Sequence, residues 1–302
     1  MDFYGFYTGT EFHAHEYLGA HVTDDGVVFR VFAPAASGIA VIGEFNEWNG
    51  DPMNKIYDGN FWECVIPTAK VGQMYKYRIY DQSGGCLDRC DPYGRRMELR
   101  PHSASIICGG GKQKFTDEKW LKTRDGGLDK PLNIYEIHAG SWRCKPDEED
   151  QKDVAEHWYN YRELADLLVP YLKENHYNYV EMMPLAEHPS DESWGYQISG
   201  FFSPTSRYGT PDDLKYLVNK CHNAGIGVIM DFVPVHFAVD DYALWNFDGT
   251  ALYEYPHGDV GKSEWGSCNF MHSRGEVRSF LQSAADYWLE EFHFDGLRMD
   301  AI

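Results

Sequence analysis

Two rhythms of apolar and polar positions divide the chain. Between Asp25 and Cys108, short β-branched and aromatic runs recur at Val27 to Phe32, Ile39 to Gly43, Phe61 to Ile66, Met74 to Tyr80 and Ala104 to Ile107. Asn49-Gly50, Asp58-Gly59 and Gly84-Gly85 separate them, and such dipeptides favour tight turns because glycine accepts positive φ. No amphipathic helical stretch interrupts the series, so the pattern predicts a small β-sandwich.

From Pro131 the rhythm changes. Leu132 to Ile137 and Tyr179 to Met183 read as strands, and between them Leu164, Leu167, Leu168 and Leu172 fall at helical spacing within Val154 to Asn175. Thr210-Pro211-Asp212-Asp213 is a helix start: threonine can cap it, proline suits its first position, and acids favour the positive end of its dipole. That helix runs to about Asn223 and stops at Gly225. A strand from Ile226 to Val233, a helix from Gly275 to Glu291 and a strand from Phe294 to Met299 follow. Four strands alternating with helices predict a parallel sheet with right-handed crossovers, either open and doubly wound or part of a (β/α)8 barrel. The expected organisation is an arm (1–22), a sandwich (23–110), a linker (111–130, with glycine-rich ends) and an α/β region (131–302).

Charge narrows the partners. A formal net charge of -20 repels phosphate backbones and anionic lipid, so nucleic acid and membrane are not expected, whereas neutral carbohydrate is compatible. No apolar run approaches the roughly 18 residues of a membrane span. The segment Met1 to His21 lacks the basic-then-apolar pattern of a signal peptide. Seven scattered cysteines without a C-x-x-C pair read as free thiols, so the expected location is cytoplasmic.

In parallel α/β folds chemistry gathers at the carboxyl ends of strands. Here those ends read Glu136-Ile137-His138, Glu181 to Pro184, Asp231 to His236, and Arg298-Met299-Asp300. Arg298 and Asp300 are two apart and share a face. An adjacent guanidinium favours an ionised carboxylate, which a retaining glycosidase needs as nucleophile, although the pair can equally be a structural ion pair. His236 can donate to a sugar hydroxyl and Asp231 can orient a neighbour, or they are a loop histidine and a cap. Tyr196, after the permissive Gly195, offers a stacking face or simply anchors its loop. Trp48 and Trp62 either stack on glucose rings or fill the sandwich core.

Together these segments resemble the α-amylase superfamily: DFVPVH (Asp231 to His236) and DGLRMDAI (Asp295 to Ile302) look like its first two signature regions. The stretch from Glu181 to Phe237, containing EHP and WGYQ, is similar nearly throughout to the strand-two to strand-three segment of the 1,4-α-glucan branching enzymes. NIYEIHAGSW resembles their first barrel strand, and VIGEFNEWNG, MYKYRIYD and DPYGRRMELRP their N-terminal glycan-binding sandwich. The resemblance implies a carbohydrate-binding β-sandwich followed by the first half, about four βα units, of a TIM barrel. It implies α-1,4-glucan as partner and a retaining double displacement that builds α-1,6 branches.

By position, Asp300 would be the nucleophile, Arg298 its support, His236 and Tyr196 the lining of the subsite for the attached glucose, and Asp231 a supporting carboxylate. An acid/base carboxyl would lie about 5–5.5 Å from the nucleophile. No cofactor is implied, and Val235, where many amylases carry a calcium-associated Asn, argues against a metal. The family's acid/base Glu follows a fifth strand. Pro131 to Ile302 is shorter than the about 250 residues of a whole barrel, so the expectation is a truncated chain, inactive alone. The alternatives are a non-catalytic glycogen- or starch-binding protein, and an α-glucan hydrolase or debranching enzyme of the same superfamily.

Overall fold

The structure, a computed structural model, describes residues 1–124, 126, 129–146, 157–256 and 258–302. It opens with a short helix α1 (Phe3–Thr8), which leads into nine strands: β1 (Gly19–Thr23), β2 (Gly26–Phe32), β3 (Gly38–Gly43), β4 (Asp51–Pro52), β5 (Asn54–Ile56), β6 (Phe61–Ile66), β7 (Met74–Tyr80), β8 (Cys86–Arg89) and β9 (Ser105–Ile106). They form two antiparallel sheets, β1-β2-β6-β5 and β4-β3-β7-β8, with β9 also pairing β7. Alternation along β2 and β7 turns Phe29, Val31, Tyr75 and Tyr77 inward, and Phe29 meets Tyr75 edge-on at 5.0 Å. Asp91 closes this core: its buried carboxylate accepts from the hydroxyls of Tyr75 (2.6 Å) and Tyr77 (3.1 Å), and burial pushes its pKa up to about 6.

The predicted linker is not plain coil. It carries a helix α2 (Glu118–Thr123), whose Trp120 stacks on His222 and donates to Asp295 at 2.8 Å. A lone tryptophan among charged residues gives no periodic signal, so only its partners reveal the helix. Asp125 and Gly127 of the same segment, and Val154 at the start of the predicted helix, lie outside the described residues.

The second region is the sheet β10 (Ile134–Ile137), β11 (Tyr179–Met182), β14 (Gly227–Phe232) and β17 (Gly296–Met299), all parallel and in chain order. A doubly wound sheet reverses its order at a switch point; here each strand pairs with the next, as in a barrel wall. Helices α3 (Tyr161–Glu174), α4 (Pro211–Asn223) and α6 (Gly275–Glu291) cover its outer face. Capping boxes start two of them, Asn160 with Glu163 and Thr210 with Asp213. Val180, Met182, Val228 and Met230 of the sheet and Leu164, Leu168 and Leu217 of α3 and α4 are all fully buried in one core, while Phe280 of α6 packs on Phe201 and Phe202.

Loops over the strand ends carry the small pairs β12 (Ala186–Glu187) with β13 (Gly200–Pro204), and β15 (His236–Phe237) with β16 (Cys268–Asn269), plus a one-turn helix α5 (Gly258–Gly261). Among the described residues, no helix is long and apolar enough to cross a membrane.

Candidate functional site

Strand register assembles the site. Glu136 pairs with Glu181 across β10 and β11, and Asp231 pairs with Arg298 across β14 and β17. Side chains alternate along a strand, so Glu181 and Asp231 project from the face opposite that of the buried Val180, Met182 and Met230. A hydrogen bond from Asp300 N to Phe232 O, 2.9 Å, carries the pairing one residue past the end of β17.

Arg298 is the junction. Its Nη1 donates to Asp300 Oδ1 at 2.6 Å and to Asp231 Oδ2 at 3.2 Å. Tyr196 Oη donates to the same Asp231 oxygen at 2.7 Å. Asp231 is 0% exposed, and its other oxygen has no hydrogen-bond partner among the described residues. Burial raises its pKa, while Tyr196 and Arg298 draw it back down. Glu181 is also pushed up, by burial and then by the charges of Asp231 and Glu136. Burial and the bond to Asp231 keep the Tyr196 hydroxyl protonated, so it is a donor here.

Tyr196 reaches Asp231 because its loop turns sharply. Trp194 and Gly195 both take positive φ, 54° and 92°, and a Cβ on Gly195 would lie 2.5 Å from the carbonyl oxygen of Pro184. His236 is 3% exposed, its ring 5.6 Å from that of Trp265. Burial lowers its pKa and the charge of Asp300 works against that, so the imidazole is biased towards neutrality.

Beside the loop lies a buried ion network: Arg207 Nη1 to Glu187 Oε1 and Arg207 Nε to Asp191 Oδ1, each 2.7 Å, with Arg100 also bonded to Asp191. The two guanidiniums overcome the effect of burial and bring Asp191 down to about 2. The EHP motif thus braces the loop that carries Tyr196.

The structure brings Asp300, Arg298, Asp231, Tyr196 and His236 to one end of the sheet. The two tryptophans part company. Trp48 is 37% exposed at a positive-φ turn (62°), whereas Trp62 is 5% exposed and its Nε1 donates to Ala33 O at 3.0 Å. Trp62 is a core residue with no face left for a ligand. Glu136, Glu181 and Trp265 were not singled out as site residues. The first two had a signal, acids inside otherwise apolar strands; Trp265 had none, because a long loop brings it to His236.

Comparison with known proteins agrees with this architecture. Residues 17–94 match the family model "Carbohydrate-binding module 48 (Isoamylase N-terminal domain)", and residues 166–250 match "Alpha amylase, catalytic domain". The chain is 47% identical over 305 residues to a 1,4-alpha-glucan branching enzyme of Fusobacterium nucleatum, covering 100% of this chain and 49% of that protein. It is 46% identical over 311 residues to one of Nitrosomonas eutropha, covering 100% and 41%. It therefore spans about half the length of the curated relatives it matches. Among solved structures, a putative alpha amylase from Salmonella typhimurium superposes with a TM-score of 0.75 at 24% identity, over 94% of this chain and 44% of that one. A pullulanase from Paenibacillus barengoltzii, complexed with maltohexaose and alpha-cyclodextrin, gives 0.75 at 21%, over 93% and 48%. At such identities these two structures speak for the fold alone.

Proposed function

This chain belongs to the 1,4-alpha-glucan branching enzyme family, and on that footing we propose that it supplies the nucleophile half of a retaining glucan-transfer site. Asp300 is the attacking carboxylate. The observation that carries the reading is its 2.6 Å bond to Arg298, itself tied through the buried Asp231 to Tyr196. That chain of contacts holds one carboxylate oxygen at the strand end and keeps the other available.

The chemistry balances as follows. An Asp300 oxygen bonds to C1 of a glucosyl unit while the C1–O4 bond breaks, and an acid carboxyl passes a proton to O4. The glycosyl ester then breaks as a 6-hydroxyl of an acceptor attacks C1, giving its proton to the same carboxyl. By family resemblance that carboxyl follows a fifth strand, so branching is proposed for the whole protein. His236, neutral in its pocket, donates to a sugar hydroxyl, and Tyr196 lines the same subsite. The sandwich, 23–110, holds α-glucan chains through Trp48. Free cysteines fit a reducing, cytoplasmic setting.

The whole protein is assayed on amylose for new α-1,6 linkages by NMR, as wild type and as Asp300→Asn. Loss on the order of 10³-fold or more is expected. Branching retained by the variant sinks the assignment, and linear products or reducing ends in place of α-1,6 bonds redirect it to hydrolysis.

A further inference from the structure

A second cluster of ionisable groups, sharing no residue with this site, lies where the N-terminal arm runs over α6. The seam is regular. Ser279 Oγ donates to the carbonyls of Gly5 (3.3 Å) and Phe6 (3.0 Å), and Arg278 Nη2 to that of Thr8 at 2.9 Å. Ser283 Oγ accepts from Ala14 N at 3.0 Å and donates to Glu11 O at 3.4 Å. Positions 279, 283, 286 and 290 follow the three-and-four spacing of one helix face, so the seam continues onto Asp286 and Glu290.

There it meets His13. Its Nε2 lies 3.1 Å from Asp286 Oδ2 and 4.0 Å from Glu290 Oε2, and one ligand atom from each residue lies within 4.8 Å of the others. The shorter approach is not a hydrogen bond: Asp286 Oδ2 is shielded from solvent and has no hydrogen-bond partner among the described residues. The two atoms are at ion-pair distance without hydrogen-bond alignment, a spacing that two ligands of one ion also adopt. Zinc binds such atoms at about 2.0–2.2 Å, so two of its ligands stand roughly 3–4 Å apart, up to about 4.2 Å. Both distances fall in that span.

The local charge points the same way. The carboxylates of Glu290 and Glu16 lie close enough to Asp286 for their charges to act on it, and His13 is the basic side chain facing them. One imidazole facing three carboxylates leaves a negative surplus that a dication neutralises. His13 and Glu16 also line a cavity with Asp2 and Glu11, so the imidazole borders an acidic recess.

We propose that His13, Asp286 and Glu290 bind a divalent transition-metal ion of the zinc class, pinning the N-terminal arm to α6. Mixed nitrogen and oxygen donors favour zinc, cobalt or nickel over magnesium or calcium, which prefer all-oxygen sites. The role is structural, since neither α6 nor the arm supplies a residue to the strand-end site.

The intact protein is titrated with Co²⁺ and followed by visible d–d absorption, and its thermal midpoint is read with and without one equivalent of Zn²⁺. One bound equivalent and a metal-dependent rise in the midpoint are expected. His13→Ala and Asp286→Asn each weaken binding at least about tenfold, since even outer-shell partners of a metal are worth about 10–100-fold. The metal-free midpoint of each variant separates loss of the ion from loss of the His13–Asp286 contact. Absence of binding in the wild type, undiminished binding in either variant, or a thiolate charge-transfer band from exposed Cys86 or Cys144 overturns the proposal.

Discussion

Gly195→Ala tests whether the loop that carries Tyr196 is built on a turn only glycine can make. The residue sits at φ 92°, and an added Cβ would lie 2.5 Å from Pro184 O and 3.0 Å from Pro184 Cβ. Left-handed backbone costs an L-residue roughly 1–2 kcal/mol, partly offset by about 0.4–1 kcal/mol of lost freedom in the unfolded chain. The nearest contact is the backbone carbonyl of Pro184, two residues past the end of β11, which cannot swing aside like a side-chain tip. Overpacking of that kind adds roughly 1–3 kcal/mol, giving about 1–4 kcal/mol in all.

Gly225 is the internal control. It lies in the same α/β region at φ 77°, with nothing within 4 Å of its would-be Cβ. Gly225→Ala therefore carries the conformational part alone, about 1 kcal/mol or less. Urea unfolding of both variants, followed by tryptophan fluorescence, reads the difference as a shift in midpoint at constant slope. A Gly195→Ala midpoint equal to that of Gly225→Ala would refute the reasoning, since the clash with Pro184 would then contribute nothing. If the loop yields by shifting outward, Tyr196 leaves Asp231 and glucan transfer by the whole protein falls more than stability does; displacement by about 1 Å is worth roughly 10²-fold in rate.

Three further outcomes are expected. Tyr196→Phe removes the donor from a fully buried carboxylate and costs about 1.5–3 kcal/mol by urea unfolding, and an unchanged midpoint would mean that Arg298 alone satisfies Asp231. Asp191 titrates at about 2 in the fold against 3.8 ordinarily, so its contribution is present above about pH 4 and drains away as pH falls towards 2. Asp191→Asn should lower stability at neutral pH and flatten the acid limb of the stability profile; a parallel limb would count against the pairing. Trp48→Ala should reduce retention on insoluble starch at unchanged stability, whereas Trp62→Ala should cost about 3–5 kcal/mol; the reverse pattern would exchange their roles.

Much of the fold was legible because its signals are local. The β-branched and aromatic runs Phe61–Ile66 and Met74–Tyr80, the threonine N-cap at Thr210 and the helix Gly275–Glu291 depend on neighbours a few residues away, and the structure has each of them there. Parallel strands at 134–137, 179–182, 227–232 and 296–299 follow from the same reasoning. Chain order within the sheet, which separates a barrel wall from a doubly wound sheet, is a long-range fact that periodicity cannot carry. The arm's strand Gly19–Thr23 and the helix at Trp120 escaped for a related reason, because their apolar positions are too few to set a period.

At the candidate site the division is sharper. The residue types at the strand ends, an arginine two before an aspartate and a histidine five after another, were there to be read in the sequence. It could not say whether Arg298 and Asp300 form a closed pair or part of a larger linkage. Register decided that by setting Asp231 opposite Arg298, and the positive-φ turn at Trp194 and Gly195 by swinging Tyr196 onto the same carboxylate. Likewise Trp48 and Trp62 are the same residue type in one module, and only the packing of two sheets left one exposed and sealed the other. Composition and spacing select which chemistry a chain can hold. Burial and long-range pairing determine which groups meet, because desolvation and hydrogen bonding act between residues that the chain itself keeps far apart.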